Sequence, residues 1–356
     1  MGTSALPRRC MNASFFVDGR VLSSVIRSLA NRALAMINPA ELLATTIPWA
    51  DRLCAAIDER DSAVCVGLDP RTDLLPPDVA PKSPGDLESV AESYRLFSEG
   101  IIDAVADIVP VVKPQAAFFE QLGPAGMNAL GRVIRYAHQR GLLVVLDAKR
   151  NDIGTTAEAY AAAYLGRRSP WGADCLTVSP YLGDDSLDPF VEACRRSAAG
   201  IFVLVKTSNP GGGFLQDRVC DGEKLYQTVA NWITQKNESL LGVWGYGPVG
   251  AVVGATYPQQ LAELRAAMPG TLILIPGFGA QGGAAEDVAA GFDSTGKGAI
   301  VNNSRNILFA YRRPEFASLG AARWQDAARQ ATIEMNQQLN AVRNPEGNPY
   351  PTEVEP

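Results

Sequence analysis

The chain has 356 residues, 47% of them hydrophobic and 20% charged, enough to bury one large core or two ordinary ones and to exclude a disordered or fibrous protein. A net charge of −6 argues against a general nucleic-acid surface, while leaving room for a local basic pocket that holds one phosphate. No apolar stretch approaches the ~18–20 residues that a helix needs to span a bilayer, so no membrane segment is expected. The cysteines, Cys10, Cys54, Cys65, Cys175, Cys194 and Cys220, contain no CxxC pair and read as buried free thiols. The one histidine, His138 in RVIRYAHQRG, reads as the exposed end of a helix, so any histidine base or metal site would rest on that residue alone.

In chain order, residues 1–47 come first. Arg8, Arg9, Arg20, Arg27 and Arg32 are balanced there only by Asp18, and VLSSVIRSLANRALAMI is amphipathic. Such a segment can be a mitochondrial-type presequence. The plainer reading is an extension, disordered or partly helical, or an upstream start ahead of a true start such as Met36. After Pro48 the chain alternates short apolar runs with helical patterns. The runs are 62–69, 108–115, 142–149, 174–180, 200–208, 250–256, 271–279 and 298–304, eight in all. Helix-like stretches such as DLESVAESYRLFSEGIIDAVAD, GMNALGRVIRYAHQRG and PQQLAELRAAM lie between them, with apolar residues at steps of three and four. Eight βα units predict a single (β/α)8 TIM barrel over 48–340, with a doubly wound sheet as the weaker alternative. The tail 341–356, rich in Pro and Glu, is expected to be disordered.

The chemistry concentrates in LLVVLDAKRNDIGTT, residues 142–156. Side chains alternate faces along a strand, so Asp147 and Lys149 are expected on one side at the strand's C-terminal end, with Asp152 in the following turn. Three close charges are costly in a partly dry site unless something uses them. In a barrel, Asp69, Lys113, Asp147, Lys149, Ser208, Gly277, Gly279 and Arg305 would share one mouth. Opposite charges would alternate around it, because neighbouring strands lie only about 4.8 Å apart. A protonated lysine there is a proton donor rather than a nucleophile. With no histidine pair or cysteine cluster the site offers little as a metal cage, and Lys113 and Lys149 would compete with Mg2+ for its carboxylates. PGFGAQGG and VNNSRN end the seventh and eighth runs, where barrels commonly bind phosphate through glycine amides, and Arg305 adds a bidentate charge. KTSNPGGG after the fifth run is either a closing lid or a long turn.

LDAKRNDIG with Thr156, together with VGLDPR, VVKPQ, TSNPGG, PGFGAQGG and NSRN, resembles the orotidine 5'-phosphate decarboxylases in their bacterial form, over about residues 48–335. The resemblance implies a cytoplasmic, cofactor-free homodimer that binds orotidine 5'-monophosphate and releases UMP. It implies that Lys149 protonates C6 as CO2 leaves, that Asp147 sits beside the departing carboxylate, and that Lys113 links Asp69 with Asp147. It further implies that Asp152 and Thr156 reach the neighbouring subunit's site. Asp69 and Lys113 would hold ribose hydroxyls, Ser208 the pyrimidine amide, and Gln281, Gly279 and Arg305 the phosphate. Two rival readings are a Mg2+-dependent barrel that decarboxylates a sugar-acid phosphate, which resembles this chain in its Asp-x-Lys-x-x-Asp motif, and a barrel that only binds a phosphorylated ligand. The first wants an acid where Lys113 stands, and the second predicts an incomplete set of catalytic charges.

Overall fold

In the computed structural model, residues 46–278 and 284–343 are described. The expectations for residues 1–45, for the tail from 344 onward, and for Gly279 and Gln281 fall outside the described residues.

Each of the eight apolar runs carries a strand: β1 (Val64–Leu68), β2 (Val111–Pro114), β3 (Leu143–Arg150), β4 (Cys175–Val178), β5 (Gly200–Lys206), β6 (Val249–Val253), β7 (Ile273–Ile275) and β8 (Ala299–Asn303). Each pairs in parallel with the next, and β8 pairs with β1 to close the barrel. The runs read as continuous apolar stretches because both faces are covered. Cys65, Val111, Val145, Cys175, Phe202 and Ile300 fill the interior. Their neighbours Val64, Val112, Val144, Leu176, Val203 and Val301 pack outward against the helices.

The helix Trp49–Arg60 plugs the lower end, placing Trp49, Leu53 and Ile57 in the interior cluster. Trp49 meets Phe202 edge-on with ring centroids 6.3 Å apart. Glycine at position 200 admits it, since a Cβ there would come within 2.2 Å of the indole. Around the outside, the helix Leu87–Val105 buries Val90, Tyr94, Phe97, Ile101 and Val105 at steps of three and four. The last helix, Trp324–Arg343, lays Trp324 over Phe97 at 5.0 Å. Among the described residues no helix is long and apolar enough to cross a membrane.

His138 departs from its expected exposure. It lies in the last turn of the helix Gly123–Gln139, but its Nε2 is 3.0 Å from Oδ2 of the fully buried Asp174, just before β4. Arg52 and Arg167 contact the other carboxylate oxygen at 2.6 and 2.7 Å, and Oδ2 also accepts from the Val144 N–H at 2.9 Å. Burial alone would raise the Asp174 carboxyl; His138, Arg52 and Arg167 outweigh it and hold the group well below the usual range. This cluster ties β3 to β4 at the end of the barrel opposite the mouth. Cys54, Cys65, Cys175 and Cys194 are buried free thiols, whereas Cys220 is exposed on the short hairpin Val219–Cys220/Glu223–Lys224.

Candidate active site

The open end of the barrel holds a cleft of about 320 Å3 that brings together Asp69, Lys113, Asp147, Lys149, Ser208, Gly277 and Arg305. Asp147 is its electrostatic centre. Its Oδ2 accepts from Lys113 Nζ at 2.9 Å and Gln115 Nε2 at 3.1 Å, and its Oδ1 from Lys149 Nζ at 2.6 Å and Thr177 Oγ1 at 2.9 Å. Burial would raise this carboxyl, but the two flanking ammonium groups outweigh it and hold Asp147 far below the ordinary carboxylate value. Burial would likewise lower the Lys113 amine, and Asp147 with Asp69 reverses that and raises it. The two lysines differ in access. The Lys113 side chain is 5% exposed and that of Lys149 is 49% exposed. Lys113 is therefore a fixed counter-charge, while Lys149 faces the space a ligand would enter.

Lys149 reaches Asp147 by an irregular route. The pairing of β3 with β4 shifts between Leu146 and Arg150, and Lys149 takes a left-handed backbone conformation, φ 47°. A non-glycine residue there costs on the order of 1–2 kcal/mol. Thr177 holds it: its Oγ1 accepts from the Ala148 and Lys149 N–H groups at 3.0 and 2.9 Å while donating to Asp147. On the far side Arg150 is anchored by Glu120 and by the Tyr164 hydroxyl, and its guanidinium lies over the rings of Tyr160 and Tyr164.

Lys113 makes no hydrogen bond to Asp69; it bonds Asp147, and Asp69 acts on it only through space, with Asp69 Oδ1 buried and unpartnered. Asp152 does not join Asp147 and Lys149 within one chain. Its Oδ1 accepts from the Ile153 N–H at 2.9 Å, and neither it nor Thr156 lines the cleft. Arg305 and Gly277 line the mouth, each two residues past the end of its strand, β8 and β7 respectively.

Thr177, Gln115, Asn302 and Asn303 also line the cleft and were not singled out from the sequence. The first three carry a legible signal, since each lies two residues beyond an inward side chain: Cys175, Lys113 and Ile300 respectively. The Oδ1 atoms of Asn302 and Asn303 are buried without a partner. Among the described residues, no group of three or more His, Cys, Asp or Glu side chains is arranged to hold a metal ion.

A family model described as orotidine 5'-phosphate decarboxylase / HUMPS family matches residues 62–318. The orotidine 5'-phosphate decarboxylase of Rhodopirellula baltica is 62% identical over 297 residues, covering 82% of this chain and 98% of that protein. The enzyme of the same name from Roseiflexus castenholzii is 45% identical over 298 residues, covering 82% of this chain and 98% of that one. Among solved structures, the OMP decarboxylase of Leishmania donovani superposes with a TM-score of 0.65 at 33% identity, covering 83% of this chain and 99% of that chain.

Proposed function

Because the chain belongs to the orotidine 5'-phosphate decarboxylase / HUMPS family, we propose that its barrel mouth removes CO2 from orotidine 5'-monophosphate to give UMP, a carboxy-lyase step of pyrimidine biosynthesis. One observation carries the reading: a buried carboxylate, Asp147, held between a fixed lysine at 2.9 Å and an accessible one at 2.6 Å. Loss of CO2 from C6 leaves a carbanion with no adjacent carbonyl to spread its charge. Such a reaction needs a cation already in place at that carbon. Lys149 meets that need and donates the proton, and the reading calls for no cofactor. Asp147 stands where the substrate carboxylate would crowd it, and binding energy from the distant phosphate drives the substrate in. Arg305, with Gly279 and Gln281, takes the phosphate. Asp69 and Lys113 take the ribose hydroxyls, which the unpartnered Asp69 Oδ1 supports. Ser208 takes the pyrimidine amide.

The reading includes a homodimer with shared sites. Asp152 and Thr156 lie outside their own cleft, and Ile153, Tyr181 and Leu182 on the loops after β3 and β4 are 57%, 73% and 48% exposed. A second copy covering these apolar side chains would bring Asp152 and Thr156 of each copy to the other's cleft. The unpaired buried thiols fit a reducing compartment, the cytoplasm. The sugar-acid phosphate reading is not favoured, because Lys113 occupies the position of its metal-holding acid. The test is loss of orotidine monophosphate absorbance with purified protein in EDTA. Turnover is expected; no turnover there, with turnover of a sugar-acid phosphate in Mg2+, would overturn the assignment.

A further inference from the structure

We propose that Gln216 and Asp217 are positioning residues that clasp the loop after β5 and thereby hold Ser208 against the substrate. The inference rests on the proposed function, in which Ser208 meets the pyrimidine amide. The loop leaves β5 at Thr207 and returns through the short helix Gly213–Gln216. The Thr207 backbone N–H donates to Gln216 Oε1 at 3.0 Å, and because that N–H can only donate, it sets which way the Gln216 amide faces. Gln216 Nε2 then donates to Thr207 Oγ1 at 2.9 Å, and Thr207 Oγ1 donates to Asn209 Oδ1 at 2.7 Å. This relay leaves the Asn209 Nδ2 group as the donor at the edge of the cleft, which Asn209 lines.

A second clasp lies beside the first. Lys206, 2% exposed, donates to Asp217 Oδ1 at 2.7 Å with its ammonium over the rings of Tyr257 and Tyr226 at 5.2 and 5.6 Å. A buried ammonium of this kind is costly to strand, so Asp217 is held to it. Ser208 sits next to these clasps and against Gly254, where an added Cβ would come within 2.7 Å of the Ser208 Cβ. Apolar burial cannot order the loop, since Phe214 and Leu215 are 78% and 42% exposed; the polar clasps do so. Neither Gln216 nor Asp217 lines the cleft, so each acts through Thr207 and Ser208.

The test is a double-mutant cycle read by steady-state kinetics with orotidine monophosphate and by UMP titration. Gln216→Ala should raise KM and the UMP Kd by roughly tenfold or more, with an unchanged thermal midpoint. Gln216→Glu, which still accepts from the Thr207 N–H, should recover most of that affinity. In a Ser208→Ala background, Gln216→Ala should add less than about twofold, because its effect passes through the missing hydroxyl. An unchanged KM in Gln216→Ala, a full effect in the Ser208→Ala background, or a lower midpoint with kcat alone reduced would overturn the inference while leaving the proposed function standing. Wild-type protein that neither turns over orotidine monophosphate nor binds UMP would overturn both.

Discussion

Thr177→Val removes one hydroxyl while keeping the shape of the side chain, and it tests how the site is built. That hydroxyl donates to Asp147 at 2.9 Å and accepts from the Ala148 and Lys149 N–H groups at 3.0 and 2.9 Å. A hydrogen bond to a buried carboxylate is worth about 1.5–3 kcal/mol, and each N–H left without a partner costs about 1 kcal/mol where water has partial access. The loss of unfolding free energy should therefore be about 3.5–5 kcal/mol, read from urea unfolding curves. The left-handed conformation of Lys149 would lose its pin as well, and its ammonium would drift from Asp147. A fall in kcat of at least tenfold is expected, equivalent to about 1.4 kcal/mol in the barrier. Thr177→Ser keeps the hydroxyl and should stay close to wild type in both measurements. A Thr177→Val protein as stable and as active as wild type would refute the view that this threonine holds the catalytic bend.

Lys113→Met leaves Asp147 buried beside a single cation and should cost about 3–5 kcal/mol of stability. The depressed Asp147 carboxyl contributes stability that is complete above the unfolded carboxyl value of about 3.9 and is lost as pH falls toward its folded value. The raised Lys113 amine contributes stability that is complete below the unfolded lysine value of about 10.4 and is lost as pH climbs through its folded value. The difference from wild type should be largest between those two pH values and shrink on either side; a difference independent of pH in urea unfolding would exclude the ion pair as its source. Trp49→Ala empties the lower end of the barrel, where Trp49 is 1% exposed, and should cost about 3–5 kcal/mol in the same assay; a cost under ~1 kcal/mol would show that the helix is not a plug. Mixing Lys149→Ala with Asp152→Ala, each nearly inactive alone, should restore about a quarter of wild-type activity after subunit exchange, because half the dimers are mixed and each has one intact site. No recovery after verified exchange would place Asp152 outside a shared site.

The barrel was legible because its strands are apolar on both faces and eight such runs punctuate the chain, from 62–69 to 298–304. Asp147 and Lys149 were legible for the same reason, as charges delivered to the end of a core strand. Their meeting on one side was foreseen by simple alternation, yet it depends on a shifted register and a positive φ at Lys149 that no local propensity encodes. Thr177 could have been found by extending the inward period of β4 past Cys175. His138 could not: its burial depends on Asp174, which also gathers Arg52 from 122 positions away. Nor does KTSNPGGG by itself distinguish a lid from a turn, since its order comes from Gln216 and Asp217 beyond the motif.

The central claim is that Lys149 supplies the positive charge and the proton at C6, and Lys149→Ala tests it most directly. Product formation from orotidine monophosphate should be abolished in single-turnover assays while titration still shows UMP binding, because the lysine acts on charge that develops only in the transition state. A Lys149→Ala protein that keeps more than about a tenth of wild-type activity, a loss of under ~1.4 kcal/mol, would contradict the account.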